Sequence, residues 1–446
     1  MAIINNYNVE VVEREIVLPA LPVQEHVLPF SNIDLTIPAV GIHVFFCYEK
    51  PSKTSFTSVV SNLKSSLSKA LVSFDAFAGR LVTNGVGETE LVCNNKGVEF
   101  AKAYALTSLD QVKFYNPIAA VGNKLVPPTL AKDSQGHGTP VFSVQVTEFS
   151  CGGIVVGCTF NHRVADSFSA NMFFTHWANI SRNEPIEPIT PNFTRSILVP
   201  RDPPYHSSEF EKIYMKLQPL QQPIKQTPEP AKASRIYYLG AKDIEKLQLS
   251  ANKDGNNYSK LEAFSAYFWK LLIQVLDIEG TMHCHIGIPI DGRSRLKKMG
   301  MPANYFGNVV LTSFAVANVG NIKKEPLSCV AKLIHDAIYR AANEEYFQSV
   351  VDLVEMSKPS TVAARAFVQR DEPILVVSSG LRFPLYEIDH GWGKPILANY
   401  YLPFSRGYVM PTPSPHGDGS WLIYVNFLVD QLKAMESHPN FTLHKI

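Results

Sequence analysis

Apolar residues recur through this chain in short blocks whose period switches repeatedly between two and about 3.6, which predicts strands interleaved with helices. In the first half, 9–18 and 40–48 read as strands, and Val59, Val60, Leu63, Leu67 and Leu71 fall at helical spacing. That helix ends before Phe77-Ala78-Gly79-Arg80-Leu81, where glycine lets the chain turn into short strands at 80–82 and 89–93. Residues 140–149 and 153–160 read as two buried strands joined by the turn Cys151-Gly152-Gly153. Asp166 or Ser167 can then cap a helix with Phe168, Met172, Phe173 and Trp177 on its apolar face.

Prolines gather at 200, 203, 204, 219, 223, 228 and 230 among polar residues of weak periodicity, so 191–233 reads as a crossover linker. An N-terminal domain of 1–190 and a C-terminal domain of 234–446 follow from that division. In the latter, strands are expected at 234–240, 284–290, 309–314, 374–378 and 421–427. Helices are expected at 259–276, 327–344 and 428–435. Both halves are of mixed α/β character.

Composition narrows the function. Of 446 residues, 46% are hydrophobic and 18% charged, enough apolar material for large cores. With 41 basic and 40 acidic residues and no basic run, nucleic acid and anionic membrane are not expected partners. The opening residues lack the basic and apolar regions of a secretory leader, and no run of 18 apolar residues occurs, so a cytoplasmic monomer is expected. Six cysteines without framework spacing fit reduced thiols, mostly buried.

The chemistry rests on two short segments. The first is Phe160-Asn161-His162-Arg163-Val164-Ala165-Asp166, a histidine and an aspartate four residues apart at the end of an apolar strand. His162 can accept a proton from a hydroxyl and pass it on, a role worth roughly 10² to 10⁴ in rate. Asp166 either orients the ring or, set at a helix start that points it away, pairs with a distant arginine such as Arg293 or Arg295. The plainer alternative is a loop histidine beside a helix-capping aspartate.

The second segment is Asp389-His390-Gly391-Trp392-Gly393-Lys394-Pro395. It reads as a tight structural turn with a buried indole, or as one whose indole or glycine N–H faces a developing oxyanion. The chain has no Gly-x-Ser-x-Gly elbow, no phosphate-binding Gly-x-x-x-x-Gly-Lys-Ser/Thr loop and no Gly-x-Gly-x-x-Gly. His283-Cys284-His285 and the His162/Asp166 pair lack further ligands at helpful spacing, so no metal is expected.

In this combination the chain resembles the plant BAHD acyltransferases, coenzyme A-dependent enzymes that acylate alcohols and amines. The resemblance spans essentially the whole length. It rests, in order, on Pro29-Phe30-Ser31-Asn32-Ile33-Asp34-Leu35, Ala78-Gly79-Arg80-Leu81, His162 to Asp166, Asp291 to Arg295, Tyr305 to Asn308 and Asp389 to Pro395. It implies two similar chloramphenicol-acetyltransferase-like α/β domains with mixed sheets and an active-site channel at their interface. It further implies His162 as base, Asp166 paired with Arg293, and at most an assisting role at the oxyanion for Trp392. Arg293, Asp389, Gly391 and Gly393 become structural motif residues, and Ser259, Lys260, Ser378, Gly380 and Tyr305 substrate contacts. Acyl-coenzyme A would be a co-substrate, with no permanent cofactor.

Some positions depart from the family pattern. Ser167 replaces a glycine, Phe74-Asp75 stands where tyrosine-proline is frequent, Gly380 replaces a tryptophan and His390 a phenylalanine. The segments 93–98, 151–160 and 376–384 look like the coniferyl alcohol acyltransferase branch. The expected activity is therefore transfer of an acyl group, acetyl first, to the hydroxyl of a plant specialised metabolite, with a phenylpropenol such as coniferyl alcohol the first acceptor. The alternatives are the same chemistry on a naphthoquinone, another secondary alcohol or an amine, and a non-catalytic relative that binds a partner protein.

Overall fold

The computed structural model describes residues 7–85, 87–128, 138–183, 189–217, 230–253, 255–365, 372–402 and 407–446. Of the expected linker, 218–229 lie outside the described residues. The chain forms two compact units. The first comprises Met1–Ser196, Pro302–Asn308 and Phe383–Leu402; the second comprises Ile197–Met301, Val309–Arg382 and Pro403–Ile446.

Nine strands of the first unit are β1 (Val9–Val17), β2 (His26–Leu28), β3 (Gly41–Tyr48), β4 (Arg80–Thr83), β5 (Thr89–Cys93), β6 (Val98–Ala105), β7 (Thr139–Pro140), β8 (Phe142–Phe149) and β9 (Ile154–Asn161). A six-stranded sheet runs in the order β1, β6, β8, β9, β3 and the late strand Leu397–Tyr401. Every residue of β3 and β9 is buried, as their near-continuous apolar sequences require of strands covered on both faces. Gly157 on β9 admits the carbonyl of Leu125 where any Cβ would collide with it. Strands β2, β5, β4 and β7 make a separate four-stranded sheet. There Arg80 is buried and donates to the carbonyls of Gly79, Lys96 and Gly97, fastening the turn after β5.

Three helices of this unit matter for the site: α1 (Asn32–Thr36), α2 (Phe56–Ser73) and α3 (Ser167–Arg182). α3 buries Ala170, Phe173, Phe174, Trp177, Ala178 and Ser181, an i, i+3, i+4, i+7 stripe. Phe173 meets Phe77 at 4.9 Å and Phe142 at 5.2 Å between ring centroids. Phe168, expected on that face, is exposed, because it sits about 200° around the helix from Ala170.

The division at 191–233 does not follow the compact units. Although late in sequence, Leu397–Tyr401 pairs antiparallel with β3, from Leu397 opposite Cys47 to Tyr401 opposite His43, and so completes the first unit's sheet. Pro302–Asn308 also belongs to that unit. Asn192 donates its N–H to the Asn304 carbonyl at 2.9 Å and accepts from Phe306 N–H at 2.8 Å.

In the second unit a seven-stranded sheet is described, in the order Val310–Asn318, His283–Asp291, Ile374–Val377, Tyr408–Pro413, Trp421–Leu428, Lys232–Leu239 and His444–Lys445. The expected helix at 327–344 is present as Leu327–Ala341, and a further helix, Glu344–Ser357, follows it. Between them the Asn343 side chain accepts from Tyr346 N–H and starts the second afresh. Among the described residues no helix is long and apolar enough to cross a membrane.

Candidate active site

Strand β9 ends at Asn161, opposite Gly41, and His162 follows at the sheet's edge with its N–H on the Val40 carbonyl at 2.9 Å. The N–H groups of Val164 and Ala165 both return to the Asn161 carbonyl, and the Asn161 side chain accepts from Arg163 N–H at 3.0 Å. This tight turn leads straight into α3, which Asp166 caps by accepting from Ser169 N–H at 2.9 Å. His162 thus stands in a strand-to-helix connection, half-buried, with its Nδ1 enclosed and making no hydrogen bond. Burial holds the imidazole below its ordinary pKa, against the pull of its own carbonyl, the Asp166 charge, the Ala165 backbone and Asn308. The ring is therefore neutral at neutral pH.

What fixes the loop comes from two distant segments. Asn308 is fully buried and donates its side-chain amide to the carbonyls of His162 and Arg163, each at 3.0 Å. The same amide and the Asn308 N–H reach Oδ1 of Asp34 at 2.9 and 2.8 Å. Asp34 is also fully buried, and its Oδ2 accepts from the N–H and hydroxyl of Ser31 in a capping box at the start of α1. Arg195 supplies the countercharge, its Nε 3.4 Å from Asp34. Arg163 is tied separately, donating to the Ile37 carbonyl at 2.9 Å.

Gly307 is required here. Its φ is +141°, and a Cβ would lie 2.8 Å from the Arg195 guanidinium. Tyr305 was expected to contact substrate. It is instead fully buried, with the Arg195 guanidinium 5.0 Å above its ring, so its part is packing.

For Trp392, the resemblance implies at most an assisting role at the oxyanion, and its position favours the structural reading of its loop. Asp389 accepts from the N–H groups of Gly391 and Gly393 at 2.7 and 3.0 Å, and both glycines need their left-handed φ of +101° and +118°. The loop is held at the far end of α3: the Asp389 carbonyl accepts from Arg182 at 2.6 Å, and His390 shares a 2.9 Å hydrogen bond with Ser181. His162 precedes the other end of that helix, roughly 22 Å away at the helical rise. The sheet gives the same answer. Trp392 packs against Tyr48 at 6.0 Å, and Tyr48 ends the strand whose beginning, Gly41, lies beside His162, about 23 Å of extended chain. An indole so placed cannot reach an oxyanion at His162.

His390 is buried, stacked on Trp392 at 5.3 Å and edge-on to Trp177 at 4.9 Å. Burial pushes its pKa down to about 3, so it is a neutral packing residue.

The remaining expected residues lie in the second unit with partners of their own. Arg293 is buried and bonds Asp291 through both its N–H and its guanidinium. Ser259 caps the helix Lys260–Val275 in a capping box with Glu262, and Lys260 stands 3.8 Å from Glu245. Val376, Ser378 and Gly380 donate alternately to the carbonyls of Gly407, Val409 and Pro411, so Ser378 and Gly380 prolong a parallel strand ladder. Asp34 and Asn308 fall inside motifs visible in the sequence, but nothing in the spacing joins them. Arg195 lies in a stretch that reads as linker and carries no signal.

A neutral histidine is thus locked at a strand-to-helix turn of a mixed α/β unit. The family model described as Transferase family matches residues 7–442. The chain is 31% identical over 439 residues to shikimate O-hydroxycinnamoyltransferase of Nicotiana tabacum, covering 96% of this chain and 98% of that protein. It is 30% identical to agmatine hydroxycinnamoyltransferase 1 of Oryza sativa subsp. japonica, covering 91% of each. Among solved structures, vinorine synthase matches with a TM-score of 0.74 at 21% identity over 96% of both chains. Fusarium graminearum TRI101, complexed with coenzyme A and T-2 mycotoxin, matches with a TM-score of 0.78 at 14% identity over 94% of this chain and 99% of that one.

The fold is that of these solved structures, and the family model and the curated relatives give the class, that of the acyltransferases. Within it, the chain belongs to the Transferase family of BAHD acyl-coenzyme A-dependent enzymes.

Proposed function

We propose that the chain transfers an acyl group from coenzyme A to a hydroxyl, with His162 as the general base. The observation that carries this is a neutral imidazole whose main chain is clamped by Asn308 and whose Nδ1 is enclosed, which leaves Nε2 to exchange protons. Nε2 removes the acceptor proton as the oxygen attacks the thioester carbonyl. The tetrahedral intermediate then expels coenzyme A thiolate, and the proton passes to sulfur. No covalent enzyme intermediate is needed.

For the substrates, the sequence segments that resemble the coniferyl alcohol branch favour a phenylpropenol acceptor and an acetyl donor. Relatives named for hydroxycinnamoyl transfer to shikimate and to agmatine add aromatic donors and amine acceptors to the range worth testing. The deciding experiment is a matrix of acetyl-, benzoyl- and hydroxycinnamoyl-coenzyme A against phenylpropenols, shikimate and an arylamine. Thiol release and product mass are the readouts. Thiol release that depends on an alcohol acceptor and vanishes in folded His162→Ala supports the proposal. Turnover of amines alone, or wild-type rates in that variant, would overturn it.

A further inference from the structure

Away from the histidine loop, three metal-ligating side chains converge in the four-stranded sheet of the first unit. His26 on β2 and Cys93 on β5 face each other as register partners, and Asp75 opens the short turn Asp75–Ala78 that precedes β4. One ligand atom from each residue lies within 4.8 Å of the other two. His26 Nε2 and Asp75 Oδ2 are 3.5 Å apart, already the edge length of about 3.5 Å that a tetrahedral zinc site needs at its usual bond lengths. With all three atoms within 4.8 Å of one another, the sulfur has to close by at most about 1 Å, within reach of a small side-chain rotation.

The surroundings suit a cation. Nδ1 of His26 faces the Gln24 carbonyl at 3.0 Å. A proton there leaves the lone pair on Nε2, directed at Asp75, which is the outer bond that orients a metal-binding imidazole. Asp75 and Cys93 are both buried, at 8% and 0% exposure. Burial, then the Asp75 charge, pushes the thiol up to about 12, with Arg195 pulling the other way. A carboxylate and a thiol thus share a buried corner, where burial works against the ionisation of both and the Asp75 charge adds to this at the thiol, and a divalent ion would reverse that. An ion pair accounts for His26 and Asp75 but not for a thiol set opposite the imidazole.

We propose that His26, Asp75 and Cys93 bind a zinc ion, with water in the fourth position, which staples β2 to β5 and to the turn before β4. Binding exchanges the Cys93 S–H bond for an S–Zn bond and releases one proton to solvent. The proposal does not rest on the activity proposed for the histidine loop.

The test uses the full-length protein stripped with a chelator and titrated with Co²⁺. One equivalent should bind and give an intense near-ultraviolet thiolate-to-cobalt band that Zn²⁺ bleaches. The band should be absent in Cys93→Ser. Removal of the half-exposed His26 side chain in His26→Ala should weaken binding at least tenfold, and Asp75→Asn should do likewise. Should Cys93→Ser not fold, those two variants carry the test. Zinc should also raise the Tm of the wild type and leave that of His26→Ala unmoved. A wild type without the band, or equal cobalt affinity in wild type and His26→Ala, would overturn the proposal.

Discussion

Asn308 donates its side-chain amide to the main-chain carbonyl of His162 at 3.0 Å, and thereby fixes this histidine through its backbone rather than its ring. Replacing Asn308 with alanine leaves three buried acceptors, on His162, Arg163 and Asp34, without this donor. The expected cost is about 2 kcal/mol, several degrees in Tm, with kcat lowered at least tenfold and KM little changed. Asn308→Asp should be worse, because it sets a carboxylate against the same three acceptors. Thermal melts and steady-state kinetics of both variants check the order.

His162→Ala should lose about 10² to 10⁴ in kcat while melting within a degree or two of wild type. Since burial depresses the imidazole pKa, the acid limb of kcat/KM should fall below pH 6.5, the ordinary histidine value. A profile that keeps falling above that pH would point to another group.

His390→Phe should keep most activity and change the response to acid. The unfolded chain protonates this ring near pH 6.5, whereas the folded one does so only at about 3. Neutral His390 therefore contributes stability that is present above pH 6.5 and falls as pH drops toward 3, by about 1.4 kcal/mol per pH unit. His43, buried and pushed down to about 4, adds to the slope. Denaturant unfolding from pH 7 to 4 should be less steep in the variant by that one histidine.

Trp392→Phe should preserve kcat within about threefold, because the loop is anchored at Ser181 and Arg182 rather than near His162. Its effect belongs in Tm. A loss approaching that of His162→Ala would show the indole acting at the reacting atoms after all.

Asp166→Ala removes the cap of α3 and should cost about 1 kcal/mol, whereas Asp166→Asn retains it. Melting temperatures separate the cap from the charge: if Asn melts as low as Ala, the charge carries the stability.

The parts of this molecule legible in the sequence are those whose signal is local. Gly41–Tyr48 and Ile154–Asn161 read as strands because nearly every residue is apolar, and α3 was visible in the spacing of Phe173 and Trp177. His162 was visible because a strand ends beside it. The clamp was not, since Asp34 and Asn308 stand 274 positions apart and meet only through tertiary packing. The Asp389 to Pro395 segment shows the opposite failure. Its residues announce a tight turn, but no periodicity tells which end of α3 receives it. β6 gives no alternating signal because Val98–Ala105 carries Glu99 on one face and Lys102 on the other, among small alanines.

The pairing of β3 with Leu397–Tyr401 bears on how the protein is made. β3 acquires β9 as soon as Asn161 has emerged from the ribosome, but its other neighbour is translated some 240 residues later. At about 5–20 residues per second, that strand waits roughly 10–50 s with an apolar, hydrogen-bonding edge open to any passing polypeptide. Any chain that stops short of Leu397 therefore leaves that edge of β3 without the strand that covers it, the kind of edge on which polypeptides associate.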